Sequence, residues 1–375
     1  MTVSALTRPG ERDRLVVKFG EIDWIFCLAI TLIAGAGAVM QFSIAGSAWM
    51  PWAAPHLARY AVFFAIMIVL SLIDIRVWFA LAYPVYGVGF LLLIAVMFVG
   101  HHALGAQRWL QAGPIQIQPS EIMKVGLVLA LARFYHSVSG KKAQLSWWLL
   151  VPGGLILAPV ALVMEQPDLG TAMLMMMTGG AVMVLAGLSW RLIAVGVLGA
   201  VAVIPPAVMF VLHDYQRKRI LTFMDPEKDP QNTGYQTIQA RITVGSGGFK
   251  GKGFLHGTQG QYKFLPVAHN DFIFSVLAEE QGFIGVLGAL GLYLFVILRS
   301  LEAARLAKDR LGAYLVGGII TGFAFQVVYN VTMSAGLAPV KGITLPLMSY
   351  GGSSLIATLA GFGLILNVRM RRFTN

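Results

Sequence analysis

The sequence predicts an all-α, polytopic membrane protein, and three observations carry that prediction. Of its 375 residues, 57% are hydrophobic and only 12% are charged, about half the charged share of a soluble domain. The mean hydropathy is +0.73. Apolar residues gather in ten runs of spanning length, each needing about 20 residues. An isolated strand cannot satisfy its backbone in lipid, so every run reads as a helix.

The runs lie at 23–43, 58–74, 77–99, 119–135, 147–164, 170–188, 192–212, 272–298, 312–334 and 351–368. The fourth is the least regular, because Glu121 and Lys124 interrupt it. Basic residues set the orientation. Arg8, Arg12, Arg14 and Lys18 precede the first run. Arg76, Arg133, Lys141, Lys142, Arg191, Arg299, Arg305, Lys308, Arg310, Arg369, Arg371 and Arg372 fall on the same side when the helices alternate. The positive-inside rule then places both termini in the cytoplasm. A tail, 1–22, precedes one transmembrane domain, 23–375, which includes a long extracytoplasmic loop, 213–270, between the seventh and eighth helices. That loop is basic, but long loops translocate despite their charge. Within it, residues 235–244 pattern as an interfacial helix with Tyr235, Ile238 and Ile242 on one side.

The only cysteine, Cys27, lies in the first run, which excludes an intramolecular disulfide and a thiolate metal site. The first run lacks a small-residue cleavage site, so no cleavable signal peptide is expected. A net charge of +11 would suggest nucleic acid in a soluble chain. Here it fits basic loops on anionic membrane lipid, and no nucleic-acid partner is expected. No internal repeat is visible, which argues against an inverted-repeat transporter.

Polar clusters fall on the outward side. Asp271 stands where the long loop runs back into an apolar segment, with Glu279 and Glu280 following inside that segment. Carboxylates cost several kcal/mol in hydrocarbon, so acids there point to function. The bland alternative is that Asp271 and Asn270 cap the eighth helix, with Glu279 and Glu280 paired to Lys124 or Arg241. A first further cluster holds Arg108 and Pro119-Ser-Glu121-Ile-Met-Lys124. Glu121 and Lys124 are three apart on one helix face and can pair, whereas the fork of Arg108 suits phosphate. A second cluster, 165–171, offers Asp168 as a helix cap completed by Thr171, or as a site residue. A third, 234–253, is glycine-rich and basic, with Arg241, Lys250 and Lys252. Glycine admits phosphate close to the backbone, but the spacing is not a P-loop. A fourth, 333–354, is broken by glycine and proline around Ser349, and such backbone is tolerated at membrane depth only where protein covers it or it lines a cavity. His101 and His102 lack partners at metal-ligand spacing, and the Met173, Met175, Met176, Met177 group reads as packing.

Taken together these motifs resemble the SEDS family, the RodA and FtsW polymerases of bacterial cell-wall peptidoglycan, over essentially the whole chain. Residues 219–226, the run 234–253 and residues 256–259 are closer to RodA, the elongation member. Lys341, within 339–346, is closer to FtsW. The resemblance implies a glycosyltransferase using lipid II, a disaccharide-pentapeptide on undecaprenyl pyrophosphate. It implies a class B penicillin-binding protein as transpeptidase partner within the elongation machinery, in the bacterial inner membrane. The family's essential acid matches Asp271, and its other sensitive positions match Arg108, Glu121, Lys124, Asp168 and Ser349.

The expected chemistry has Asp271 as general base on the acceptor sugar's 4-hydroxyl, contributing about 10²–10⁴-fold. Outward cations would stabilise the departing pyrophosphate, with Arg108, Arg241, Lys250, Lys252 and Lys263 as candidates. The resemblance adds inversion at the donor carbon. No cluster demands a metal or other cofactor, and a divalent cation bridging pyrophosphate and an acid is compatible with the residues. Three alternatives stand beside this reading: a lipid II flippase, a non-catalytic scaffold for a penicillin-binding protein, and the septal, FtsW-like polymerase. A flippase needs a polar path reaching both faces, whereas these clusters gather on one.

Overall fold

The structure, a computed structural model, describes residues 18–103, 106–112, 115–138, 146–196, 233–262 and 264–371, with 198, 199, 202 and 222 between them. Three helices open the chain: α1 (Trp24–Ile44), α2 (Ala53–Leu72) and α3 (Ile75–Val99). A three-stranded antiparallel sheet follows, β1 (His101–Ala103), β2 (Ala106–Ala112) and β3 (Ile115–Ile117), in the order β1-β2-β3. Then come α4 (Pro119–Ser137), α5 (Leu150–Glu165) and α6 (Leu169–Leu185). Beyond them lie α7 (Thr233–Ser246), the single turn α8 (Thr258–Gln261), α9 (Ile273–Arg305), α10 (Arg310–Ser334) and α11 (Gly352–Met370).

Six of these helices, α1, α2, α3, α9, α10 and α11, are long and apolar enough to cross a membrane, so the chain is a multi-pass membrane protein. Nine of the ten apolar runs coincide with described helices. Most of the run 192–212, and the loop from 213 to 232 apart from 222, lie outside the described residues, as does Lys263.

α4 is the centre of the bundle. It packs against α3, α5, α6, α10 and α11. Met123, Leu127, Leu129, Ala130, Leu131 and Ala132 are all buried, so the helix is covered all round. That environment is the one in which an all-round apolar helix is stable, and it explains how an interrupted run still forms a helix. The small sheet is the departure from an all-helical chain. It lies outside the helices at the α3–α4 connection. The register pairs Leu110 with Ile117 and Ala112 with Ile115, so Ile115-Gln-Ile117 has the period-two alternation of a strand.

α9 runs farther than the apolar run that predicts it. Its 33 residues would measure about 50 Å, against about 30 Å of hydrocarbon. The length is accommodated by a break at Gly282 (φ 62°, ψ −162°), a conformation closed to other residues. Every residue from Ile273 to Glu280 is buried in protein, which is how two acids come to sit inside an apolar run. The break opens two rungs of the helix, and segment 248–253 closes them. Lys252 N and Gly253 N donate to the carbonyls of Glu279 (2.9 Å) and Glu280 (3.0 Å). Phe283 N and Ile284 N donate to the carbonyls of Gly248 (3.0 Å) and Phe249 (3.3 Å). A Cβ at Gly247 or Gly251 would strike the carbonyl of Ala278 or Glu280. Gly247 and Gly251 therefore serve backbone-to-backbone packing against α9.

α7 is the helix expected inside the loop. Gly234, Thr237, Ala240 and Thr243 face α9 and α10, whereas Ile242 is exposed and Tyr235 and Ile238 are partly so. Small residues allow the close packing, which leaves the larger side chains on the outer face. At the opposite end of the bundle, Asp23 caps α1 and binds Arg299 (2.8 Å) and Arg369 (3.2 Å). Arg299 and Arg369 both reach Glu302, at 2.8 and 3.4 Å. The start of α1 and the end of α11 thus lie at one end of the bundle.

Candidate active site

Asp271 lies in the short segment 265–272 that leads into α9. Val267 (φ 54°) reverses the chain, and its carbonyl accepts from Asn270 N (3.0 Å) and Asp271 N (3.2 Å). Three successive carbonyls of this segment are then pinned from three places. Tyr350 N donates to His269 O at 3.0 Å. Ser349 Oγ donates to Asn270 O at 2.5 Å and accepts from Leu345 N at 2.9 Å. Asn330 Nδ2 donates to Asp271 O (2.9 Å) and to Ile343 O (2.7 Å). Asn330 and Ser349 are buried, so these bonds are shielded from water. The backbone of Asp271 is therefore fixed, while its side chain is half-exposed. A Cβ at Gly342 would stand 3.5 Å from Asp271 Oδ2. The cap position of α9 is Phe272, so Asp271 is not the helix cap.

Aromatic rings and one cation frame this segment. Trp52 stacks on His269 with centroids 4.4 Å apart, and His269 meets Tyr350 edge-on at 6.0 Å. Burial pushes the His269 imidazole below its ordinary pKa. Arg59, from the first turns of α2, places its guanidinium 4.8 Å from the Tyr350 ring centroid, and its stem passes beside Gly352 at the start of α11. Thr344 and Ser354 hydroxyls meet at 3.2 Å, and Ser353 Oγ donates to Gln116 O of β3 at 3.3 Å. The sheet is thereby tied to the same end of the bundle.

The other sequence candidates divide into separate assemblies. Arg108, on β2, donates through Nε to Gln166 O (2.9 Å) and through Nη2 to Pro167 O, and lies 3.8 Å from Asp168 Oδ2. Its fork is engaged by the α5–α6 turn. Asp168 caps α6, accepting from Thr171 N (3.1 Å) and Thr171 Oγ1 (2.9 Å). The start of α6 abuts the stretch that flanks Asp271: a Cβ at Gly170 would lie 3.2 Å from Lys341 O. Glu121 and Lys124 form the expected pair at 2.7 Å. Lys124 also lines a hollow of about 60 Å³ with Thr178, Gln326 and Thr358, and Gln326 lies one turn from Asn330 on α10.

Glu279 is fully buried and pairs with Lys252 at 2.6 Å, not with Lys124 or Arg241. It also accepts from Thr258 N (3.0 Å), Thr258 Oγ1 (3.0 Å) and Gln259 N (3.3 Å). Glu280 accepts from Ser43 Oγ of α1. Lys252 is thus a brace between the loop and α9. Lys250 is exposed, and Arg241 lays its stem over Gly336 beyond the end of α10. Among the described residues no three His, Cys, Asp or Glu side chains gather as metal ligands. Sequence reasoning missed Arg59, Asn330 and the Trp52–His269 stack. An arginine and an asparagine inside apolar runs were the available signals, and the stack had none.

A helical bundle with a fixed, half-exposed carboxylate at one end defines the class: a polytopic membrane protein with a polar site at one membrane face. Residues 20–373 match the model of the FtsW/RodA/SpoVE cell cycle proteins, and the chain belongs to that family. It is 44% identical over 317 residues to the peptidoglycan glycosyltransferase MrdB of Escherichia coli K12, covering 84% of this chain and 85% of the relative. It is 39% identical to a probable peptidoglycan glycosyltransferase FtsW of Geobacter metallireducens, with 82% of each covered. Among solved structures, the rod shape determining protein RodA of Thermus thermophilus superposes with TM-score 0.68 at 32% identity, over 94% of this chain and 98% of that one. A chain from a study of how a peptidoglycan synthase complex coordinates polymerization and crosslinking superposes with TM-score 0.81 at 36% identity, over 94% and 99%.

Proposed function

We propose that this protein is a peptidoglycan glycosyltransferase that polymerises lipid II into glycan strands during cell elongation, in the bacterial inner membrane. Both termini are cytoplasmic in this reading, and the Asp271 end faces outward. The observation that carries it is the setting of Asp271. Three consecutive pinned carbonyls fix the backbone under a half-exposed carboxylate, which is the preorganisation a general base needs. The named activity of the relatives supports the reaction class. Greater identity to MrdB, at 44%, than to FtsW, at 39%, supports elongation over septation.

Asp271 takes the proton from the acceptor sugar's 4-hydroxyl. The oxygen attacks the donor's anomeric carbon from the side opposite the pyrophosphate. The bond from that carbon to the phosphate oxygen breaks, and undecaprenyl pyrophosphate leaves with the electron pair, inverting the centre. Charge grows on the leaving oxygen, so a cation near the site lowers the barrier. Arg59, beside the start of α11, is better situated for this than Arg108 or Lys252, whose donors are engaged elsewhere. Ser349 and Asn330 act by holding Asp271. A class B penicillin-binding protein is the proposed crosslinking partner, supported by the match to the synthase-complex chain.

The test uses purified protein with labelled lipid II, alone and with the class B partner, comparing wild type with Asp271→Ala. Polymer from wild type only supports the enzyme and its site. Polymer from both keeps the enzyme and discards Asp271. Polymer from neither moves the reading to a flippase or a scaffold, which a vesicle lipid-flipping assay separates.

A further inference from the structure

We infer that the end of the bundle opposite Asp271 carries a binding site for a phosphate group, of the kind an anionic lipid headgroup presents. A cavity of about 180 Å³ lies where α3, α4, α10 and α11 meet. Three of these helices each bring a basic side chain to its wall: Arg76 from the first turn of α3, His136 from the last turn of α4, and Arg371 at the end of α11. The fourth brings Asp309, the cap of α10. Asp309 and Arg371 offset each other, because Arg371 Nη1 lies 3.0 Å from Oδ2, and Gly312 N donates to Oδ1 at 2.9 Å, so Arg371 offers the cavity hydrogen-bond donors more than net charge.

The local electrostatics favour an anion. Arg76 and Arg310 lie in the first turns of α3 and α10, whose caps are Asp74 and Asp309, and Asp74 Oδ1 accepts from Arg76 N at 2.8 Å. With Arg371 and Arg133, these four arginines outnumber the two capping carboxylates around the cavity. Arg133, one turn before His136 on α4, adds to the field. Its guanidinium lies 4.8 Å from the ring of Phe79, while it donates to Phe79 O (2.8 Å) and Ala80 O (3.0 Å). The Phe79 ring in turn meets His136 edge-on at 5.6 Å.

The floor is apolar, formed by Ile75, Phe79 and Leu311. Beside it, Val77 and Leu81 are exposed on α3. A headgroup phosphate held by Arg76, His136 and Arg371 would let its ester carbons rest on the floor and its chains follow α3. Basic pockets between transmembrane helices hold acidic headgroups in this way. A free phosphate shares the recognising chemistry but not the apolar contacts.

The test is native mass spectrometry of the full chain, purified in detergent, titrated with phosphatidylglycerol and separately with inorganic phosphate. Wild type is compared with Arg76→Gln, with His136→Gln as a second variant, and with Arg191→Gln as a remote basic control. Each variant is first checked for a monodisperse elution profile. Loss of the Arg76 cation is expected to weaken phosphatidylglycerol binding about fivefold, loss of the His136 ring donor to weaken it less, and Arg191→Gln to leave it unchanged. Displacement of the lipid by inorganic phosphate at equal concentration would keep the phosphate site and assign it to free phosphate. Unchanged binding in both cavity variants, or an equal loss in the control, would overturn the site.

Discussion

The two ends of α9 handle charge in opposite ways. At Arg299 the charges satisfy one another, as Asp23, Arg299, Glu302 and Arg369 form a closed network across α1, α9 and α11. At Asp271 it is the backbone that is held, with His269, Asn270 and Asp271 carbonyls all bound, in a residue that is half-buried. Glu279, between the two ends, belongs to the first type: it is fully buried and met by Lys252, Thr258 and Gln259. Acids that hold the bundle together are enclosed by donors. The acid proposed for chemistry, Asp271, has its main chain held by these three bonds.

The largest expected effect tests that division directly. Asp271→Asn should lower polymerisation about 10²–10⁴-fold while thermal stability stays within a degree or two of wild type. An active Asn variant would remove the distinction. Glu279→Gln should do the reverse in kind, destabilising by about 1–3 kcal/mol because the Thr258 and Gln259 donors lose a buried charged acceptor. Thermal unfolding of the purified protein reads this, and unchanged stability would sink the bracing role. Ser349→Ala sits between the two types. It removes the bond to Asn270 O and the acceptor for Leu345 N, costing about 1–2 kcal/mol. Because it also loosens Asp271, kcat should fall by roughly tenfold to a hundredfold, with little change in KM.

The smallest effect concerns pH. Burial lowers the His269 pKa from 6.5 in the folded protein. The unfolded chain therefore binds more protons at that position as the solution turns acidic. Stability present above 6.5 is lost as pH falls from there toward the folded value. The melting temperature of wild type should drop more between pH 7 and about pH 5 than that of His269→Gln. Parallel curves would show that His269 stays solvated.

The legible part of the molecule was the part encoded locally. Apolar run length fixed nine helices, three-residue spacing gave Glu121–Lys124, and Asp168 with Thr171 read as a cap. The sheet at 101–117 was legible in principle, through the Ile115-Gln-Ile117 alternation after Gly113-Pro114, but its strands are three, seven and three residues long. The rest depends on separation along the chain. Lys252 finds Glu279 across 27 positions, and Ser349 finds Asn270 across 79. No local periodicity encodes such pairs. The same limit made Arg108 look available for an anion, when it holds carbonyls 58 and 59 residues away.

The interrupted helix has a consequence for biogenesis. Residues 248–253 leave the ribosome before α9 does, and in the proposed orientation they cross to the far side of the membrane first. When the first residues of α9 follow, the four open backbone groups around Gly282 have no partner within their own helix. Each costs several kcal/mol if left in hydrocarbon, so that stretch cannot settle at depth until the waiting segment docks. Integration of the eighth apolar run is thus completed by chain synthesised earlier. The seam closes late, after α9 has emerged.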